Sequence, residues 1–276
     1  MGTVIDRARR VGGAALDVVE RTLTAAGLGE SPEKLGADAR RYWEQPDGDR
    51  WRADSHWRDA SVFAGTDLWS ETGRRHLDLL RRMARVVEHP GPRGTVLEWG
   101  CGGGANAVHL APEATAFVGV DLSAATLEEC GRQVAAVTAT PFRPVLIDPA
   151  EPEAAVAALR GTVDVFTCFY VFELIVSQEY GARLLRIAAD LLTDDGLALV
   201  QIKYDTGSFG TRPRRRNYRS RLASMTTYRI DEFWELAHDC GLVPHAVHLV
   251  PRNELDERYA YFLLTRAGGP RAEAAR

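Results

Sequence analysis

The sequence predicts an α/β fold with a seven-stranded, mostly parallel sheet that ends in an antiparallel hairpin. From residue 95 to residue 204, short apolar segments alternate with helical ones, which is typical of a parallel sheet covered on both faces. A glycine-rich turn, VLEWGCGGG at 96–104, follows the first strand. The last two apolar segments, 244–251 and 258–266, are joined by too few residues for a helical crossover. They therefore predict the hairpin.

Length and composition restrict the class of protein. The 276 residues suffice for one large domain with an added segment, and 45% hydrophobic with 26% charged residues is ordinary for a globular chain. The net charge of −4 disfavours a nucleic-acid partner held by broad positive charge. No apolar run approaches the roughly 18–20 residues that span a membrane. The four scattered cysteines predict no disulfide or zinc cluster, and we expect a cytoplasmic protein.

Residues 1–88 are predicted to form an N-terminal helical lid segment. Apolar residues recur at helical spacing over 4–26, and this helix is a candidate packing or homodimerisation element. The segment 29–63 is polar and broken by proline and glycine, yet it contains large aromatic side chains, which suggests a lid that docks onto something apolar. Those aromatic residues are Tyr42, Trp43, Trp51 and Trp57. A helix is predicted around 69–88.

The second predicted unit spans 89–268, and 269–276 is predicted to be a flexible tail. Five strands precede the hairpin, at 95–100, 115–121, 142–148, 163–169 and 196–204. Helices are predicted at 103–111, 123–137, 152–160, 177–192 and 230–241. Ser123 is a plausible N-cap of the second of these helices. A basic loop at 205–226 separates the fifth strand from the last helix.

The glycine turn predicts a ligand that contains adenosine. Gly100, Gly102 and Ala105 match the spacing GxGxxG/A of dinucleotide-binding turns, a signal that is weak alone. Asp121 ends the next strand, about the 20 residues further on at which a carboxylate accepts the ribose hydroxyls.

Glu98 separates two candidate cofactors. NAD would place a pyrophosphate at the turn, and a carboxylate beside it would repel that group. S-adenosylmethionine carries an ammonium and a sulfonium, so Glu98 would attract it, directly or through water. The glycines would let the backbone approach the methionine moiety.

At these residues the sequence resembles the class I S-adenosylmethionine-dependent methyltransferases, over roughly 90–266. The resembling motifs are VLEWGCGGG, VGVDLS at 118–123, LIDPAE at 146–151, VDVFTCFYVFEL at 163–174 and LLTDDGLALVQI at 191–202. The resemblance implies a Rossmann-like fold with S-adenosyl-L-methionine as cofactor. The cofactor-binding residues implied are Glu98, Gly100, Cys101, Gly102, Asp121, Leu122, Asp148 and Phe169. In this family Asp148 would contact the adenine amino group.

Two departures from the family pattern bear on catalysis. Many relatives carry a histidine just after the fourth strand, where this chain has Phe172, Glu173 and Leu174. Glu173 is therefore a candidate general base at the mouth of the cleft, and His56 in the lid segment is a rival. The Asn/Asp-Pro-Pro-Tyr motif of amino-methylating DNA enzymes is absent, which disfavours a nucleic-acid substrate. No metal is expected, because no ligand-spaced His/Asp set occurs.

Methyl transfer to a small-molecule acceptor, at O, N or C, is the predicted function, in bacterial secondary metabolism. Six arginines within 212–221 form either a solvated loop or a site for an anionic acceptor. A non-catalytic S-adenosylmethionine-binding subunit and an NAD-dependent oxidoreductase are the alternatives. A deep cleft beside Phe169 and Glu173, walled by the lid, would favour an enzyme, and a flat surface would favour the binder.

Overall fold

The fold is described by a computed structural model covering residues 16–44, 48–219 and 222–272. Seven strands form one sheet in the order β3-β2-β1-β4-β5-β7-β6. The strands are β1 Thr95–Trp99, β2 Ala116–Asp121, β3 Phe142–Leu146, β4 Val163–Cys168, β5 Leu192–Lys203, β6 Leu242–Arg252 and β7 Glu257–Arg266. Strands β1 to β5 pair in parallel. Strand β7 pairs antiparallel with β5 and β6, so the predicted fold class is confirmed.

Helices cover the sheet and its carboxyl edge. The first described helix, α1, occupies residues 16–25, and the start of the helix predicted from residue 4 lies outside the described residues. The others are α2 Pro32–Glu44, α3 Gly48–Asp54, α4 Leu68–Ala84, α5 Ala107–Leu110, α6 Ala124–Ala135, α7 Pro152–Val156, α8 Gln178–Leu191 and α9 Ile230–Asp239. The Ser123 hydroxyl caps α6 by accepting from Thr126 N. None of the described helices is both long and apolar enough to cross a membrane.

The core has two layers, one on each face of the sheet. Helices α4, α5 and α6 pack on one face and α7, α8 and α9 on the other. Strand β7 shows the period of two: Tyr259 and Tyr261 face the α4 layer, whereas Ala260 and Phe262 face the α8 layer. Helix α4, which the sequence analysis assigned to the lid segment, therefore contributes to the main core.

Several elements differ from the sequence expectations. Strand β5 begins at Leu192 instead of 196, and helix α7 ends at Val156 instead of 160. Helix α5 begins only at Ala107, because Gly102 and Gly104 adopt positive φ angles of 53° and 92° and prolong the turn. The tail predicted to be flexible is anchored at Arg271, whose Nη2 donates to Asp195 Oδ2 at 2.9 Å. Residues 273–276 of that tail lie outside the described residues.

Candidate active site

A cavity of about 450 Å³ opens at the carboxyl ends of β1, β2 and β4. The strand order reverses between β1 and β4, and ligands of open α/β sheets bind at such a switch point. One part of the wall consists of the glycine turn and the ends of β2 and β3. The other part consists of the loop after β4, helix α2 and the end of α3.

The glycine turn is fixed against β2. Gly100 N and Cys101 N donate to Val120 O at 2.8 and 3.1 Å. Gly100 has a φ of 74°, a conformation that glycine adopts without strain. Gly100, Cys101 and Gly102 all line the cavity, as expected for cofactor-binding residues. A hydrogen bond to the Cys130 thiol and burial raise the pKa of Cys101 well above its ordinary value, so its thiol stays protonated.

The lid backbone lies directly on this turn. Gly103 N donates to Ser55 O at 2.7 Å. A Cβ atom on Gly102 would lie 2.7 Å from Ser55 O, and one on Gly103 would lie 2.7 Å from His56 O and 2.8 Å from Trp57 Cα. The glycines thus have a role beyond approach to a cofactor: they let residues 55–57 close over the turn.

Replacing Gly103 with alanine is expected to displace the lid backbone, because both obstructing atoms belong to the main chain. The free energy of unfolding should fall by about 1–3 kcal/mol, as for other overpacked sites. Gly36→Ala in α2 is the matched control, since nothing lies within 4 Å of its added Cβ, and it should stabilise the protein slightly. Urea unfolding of both variants measures this. A Gly103→Ala protein as stable as wild type would refute tight docking of the lid.

Asp121 lies at the cavity wall with its carboxylate held by the backbone. Oδ2 accepts from Gly102 N and Oδ1 from Ser123 N, each at 3.1 Å. Burial raises the pKa of Asp121 to about 6, although these N–H groups favour the charged form. The carboxylate therefore couples the glycine turn to the start of α6 and faces the cavity, where a ribose could be bound.

Glu98 lies behind the turn and is not among the residues that line the cavity. Its side chain is fully buried, and Oε1 accepts from Asn106 Nδ2 at 2.6 Å. Within the described part of the chain, Oε2 has no hydrogen-bond partner. Burial raises the pKa of Glu98 to about 8. An orphaned buried carboxylate next to the turn fits a cationic ligand, and its predicted contact stays a prediction.

A buried network extends from Glu98 to Phe169 in the cavity wall. Asn106 donates to Glu98 through Nδ2, so its Oδ1 faces His76. This oxygen accepts from His76 Nδ1 at 2.7 Å. His76 Nε2 lies 2.9 Å from the Tyr261 hydroxyl, and burial lowers the pKa of His76 to about 4. The neutral ring therefore accepts from Tyr261. It also stacks on cavity-lining Phe169, with centroids 4.2 Å apart and planes at 17°.

Sequence reasoning missed His76 and Asn106. His76 lies in α4, outside every motif used, and no local pattern distinguishes it from other helical residues. Asn106 was read only as part of the helix after the glycines. Its position one residue past the GxGxxA match was a usable signal, because the start of that helix faces the cofactor site.

Three cofactor candidates remain. Leu122 and Phe169 line the cavity, whereas Asp148 is not part of its lining. The Asp148 side chain is 53% exposed and pairs with Arg40 of α2, while Oδ1 also accepts from Ala150 N at 2.8 Å. The structure therefore does not direct this carboxylate into the cavity, and its adenine contact stays a prediction.

Glu173 is not at the mouth of the cleft as the sequence analysis expected. Its side chain is 1% exposed, and it is absent from the cavity lining, where Val171 and Leu174 lie instead. Burial raises the pKa of Glu173 to about 7, with buried Lys203 acting in the opposite direction. The loop after β4 turns this side chain into the protein, so it does not reach a ligand in this conformation.

His56, the rival base, does line the cavity. His56 and Tyr170 both have positive φ angles, 53° and 56°, which non-glycine residues rarely adopt. Their rings pack edge to face at 4.9 Å. Strained backbone of this kind clusters at functional sites. Burial, together with nearby His76, lowers the pKa of His56 to about 4, so its ring is neutral at physiological pH.

The arginine-rich loop contacts the N-terminal segment. Arg214 is fully buried, with Nη2 2.7 Å from Glu20 Oε2, and Arg216 donates to Leu28 O. Arg215 O accepts from Glu30 N at 3.0 Å. No described arginine of this loop lines the cavity, and Arg221 lies outside the described residues. The loop instead contributes the ring of Tyr218 to the cavity wall.

Comparisons with known proteins agree with this architecture. Magnesium protoporphyrin IX methyltransferase from Synechocystis PCC 6803, with bound S-adenosylhomocysteine (SAH), is 17% identical, with a TM-score of 0.56 over 79% of this chain and 94% of that chain. An S-adenosylmethionine-dependent methyltransferase from Clostridium acetobutylicum ATCC 824 is 13% identical, with a TM-score of 0.56 over 76% and 96%. PKMT2 from Rickettsia typhi, in complex with AdoHcy, is 16% identical, with a TM-score of 0.53 over 70% and 54%.

These likenesses show the fold. No curated protein sequence matches the chain. A family described as "Methyltransferase domain" matches residues 68–247, more than half of the chain. The match starts at α4 and includes the glycine turn, Asp121 and the loop after β4. The chain therefore belongs to this methyltransferase family, and it is an S-adenosylmethionine-dependent enzyme.

Proposed function

We propose that this enzyme methylates a small molecule bound in the same cavity as the cofactor. The observation that carries the proposal is the continuity of the cavity: Asp121 and the glycine turn form one end, and Trp43, Leu174 and Tyr218 form another. Its volume of about 450 Å³ lies within the range of about 300–1,000 Å³ typical of small-molecule sites. The lid over residues 55–57 leaves a covered cleft, which favours an enzyme over a non-catalytic binding subunit.

We propose that the cofactor occupies the β1–β2 side of this cavity. Asp121 would accept the ribose hydroxyls, since its carboxylate is already oriented by two backbone N–H groups. Gly100, Cys101 and Gly102 would lie against the methionine moiety, with Glu98 behind them as the compensating charge. Leu122 would pack on the adenosine. Asp148, which pairs with Arg40 at the surface, would hold helix α2 over the adenine end of the cavity.

The bound cofactor supplies an electrophilic methyl group. The protein then has to place the acceptor atom in line behind that carbon and exclude water, and orientation can lower a barrier by about 7–11 kcal/mol in favourable systems. The lid and Phe169 would exclude water, since both border the cavity. His56 would accept the acceptor's proton where one must be lost, because its ring is neutral and the residue lines the cavity.

Incubation with S-[methyl-³H]adenosylmethionine tests this function. The acceptors are 2-naphthol, 2-naphthylamine and naphthalene-2-thiol, with bulk tRNA and denatured protein as macromolecular alternatives. We expect label in a small molecule and none in the macromolecules. Label confined to tRNA or protein would contradict the proposal.

His56→Ala should lower kcat by about 100-fold or more on an acceptor that must lose a proton, the usual contribution of general-base catalysis. At saturating cofactor, wild-type kcat should stay level from pH 7 to pH 5.5, because the pKa of His56 is lowered to about 4. His109→Ala is the matched control, since His109 bonds Ser70 outside the cavity. A tenfold fall of wild-type kcat by pH 5.5, or an unaffected His56→Ala enzyme, would exclude this assignment.

We further propose that the enzyme is cytoplasmic and serves bacterial secondary metabolism. The four cysteines are free and buried, which fits a reducing compartment. The metabolic role is supported by the family resemblance alone. An anionic acceptor is not part of the proposal, because no described arginine of the 205–226 loop lines the cavity.

A further inference from the structure

An aromatic–acid pocket, formed by Tyr42, Trp43, Tyr218 and Asp54, lies at one end of the cavity. Trp43, Tyr218 and Asp54 line the cavity. The Tyr42 ring centroid lies 4.8 Å from that of Trp43 and 6.4 Å from that of Tyr218. Trp43 Nε1 donates to the Tyr218 hydroxyl at 2.9 Å, which fixes both rings. Three aromatic side chains in mutual contact thus adjoin one carboxylate, which accepts from the Tyr42 hydroxyl.

This pocket contains none of the residues expected to hold the cofactor. Strands β2 and β4 lie on opposite sides of β1, and Asp121 ends β2. The pocket packs instead with Leu174 and Val176, which follow β4. The acceptor therefore has this end of the cavity available when the cofactor occupies the other.

The charges of the cavity favour a cation over an anion. Two carboxylates, Asp54 and Asp121, and one guanidinium, Arg40, line it among the described residues. Arg40 already pairs with Asp148. Asp54 Oδ2 accepts the Tyr42 hydroxyl and lies 3.7 Å from Nε of Arg50, a side chain that is 60% exposed. Because both interactions are made by Oδ2, Oδ1 of Asp54 remains for a ligand in the described structure.

We propose that the aromatic–acid pocket binds a protonated amine of the acceptor, so that the substrate class is an apolar or aromatic amine. The proposal rests on the proposed function, since it concerns the acceptor end of the same cavity. The ammonium donates to Asp54 Oδ1, and the surrounding rings attract it by cation–π interaction. Leu174, Ile175 and Val176 contact the apolar frame. A protonated amine has no free electron pair, so the amine is a handle and the methyl group goes to another atom.

Calorimetric titration of SAH-saturated protein with three matched probes tests the proposal. The probes are 2-(aminomethyl)naphthalene, 2-naphthalenemethanol and 2-naphthoate, which are cationic, neutral and anionic at neutral pH. We expect the cation to bind about tenfold more tightly than the other two. Asp54→Asn should remove that preference and leave binding of the neutral probe unchanged.

Further measurements separate the alternatives. Asp59→Asn removes the same charge from an exposed position of the lid segment and should keep the preference for the cation. Tyr42→Phe retains the ring and the Asp54 carboxylate and should also keep it, whereas Asp54→Ser removes the carboxylate and should lose it, which provides a second variant if Asp54→Asn unfolds. Asp54→Asn should bind SAH as wild type does.

Tightest binding of 2-naphthoate, or equal losses in Asp54→Asn and Asp59→Asn, would overturn the proposal. Weaker SAH binding by Asp54→Asn would also overturn it, because the pocket would then serve the cofactor. Absence of SAH binding by the wild-type protein would instead contradict the proposed function, so the two failures are distinguishable.

Discussion

Asp121→Asn is expected to weaken SAH binding by about 100-fold. The amide has one acceptor oxygen, whereas the carboxylate accepts from Gly102 N and Ser123 N with separate oxygens. Its NH₂ group would therefore face one of these donors, which costs about 1–3 kcal/mol of stability with or without ligand. Only the charge-assisted hydrogen bond to the ribose, worth about 1.5–3 kcal/mol, is lost on binding. A loss of about 2.7 kcal/mol corresponds to the expected factor, which calorimetric titration with SAH measures.

Asp190→Asn is the control for this experiment. It removes the same charge from an exposed carboxylate that is not part of the cavity lining and that pairs with exposed Arg160. Because exposed pairs contribute little, its SAH affinity should change by less than about threefold. Equal losses in the two variants would show that net charge, rather than the geometry at Asp121, controls binding.

Glu98→Gln is expected to have opposite effects on stability and cofactor binding. The pKa of Glu98 is raised to about 8, from an ordinary value of 4.5. Between those values the folded protein retains a proton that the unfolded chain releases, so stability declines as the pH rises through this window. Glutamine carries no such proton. At pH 8 the variant should therefore be more stable than wild type by about 1–3 kcal/mol, with the difference shrinking towards pH 5.

The same substitution should weaken S-adenosylmethionine binding by about tenfold or more, because the cation loses its buried counter-charge. At pH 7 the wild-type protein should release a proton when it binds S-adenosylmethionine, and the variant should release none. Proton release appears as a dependence of the binding heat on the ionisation enthalpy of the buffer. Urea unfolding at pH 5 and pH 8 measures the stability difference. Equal stability at pH 8, together with no proton release by wild type, would refute the role assigned to Glu98.

The fold and the family could be predicted from the sequence because both depend on local patterns. Alternating strands and helices determine the parallel sheet, and the short link between 251 and 258 determines the hairpin. The glycine turn and Asp121 come together because parallel strands end at the same edge. These parts of the site follow from strand ends alone.

The directions of side chains were harder to predict. Glu98 lies near the end of β1 and Glu173 follows β4, so both were expected at the cavity. Glu98 instead shares a strand face with Val96, points towards α4 and lies behind the turn. The loop after β4 rotates Glu173 inwards. Tertiary contacts decide which face of the sheet α4 covers and how that loop turns, and neither can be read from the spacing of residues.

The part of the cavity that we propose for the acceptor comes from segments without a motif. Asp54 and Trp43 belong to the lid helices, and Tyr218 belongs to the arginine-rich loop, whose arginines attracted attention while its tyrosine did not. Only the packing of α2 on that loop brings these residues together.

A crystal structure of the complex with SAH tests the central claim most directly. The account predicts ribose hydroxyls on Asp121, the homocysteine moiety against Gly100–Gly102 with Glu98 behind it, and open volume between His56, Trp43 and Tyr218 for an acceptor. An SAH molecule that fills the aromatic–acid pocket, or one that leaves Asp121 without contact, would contradict it.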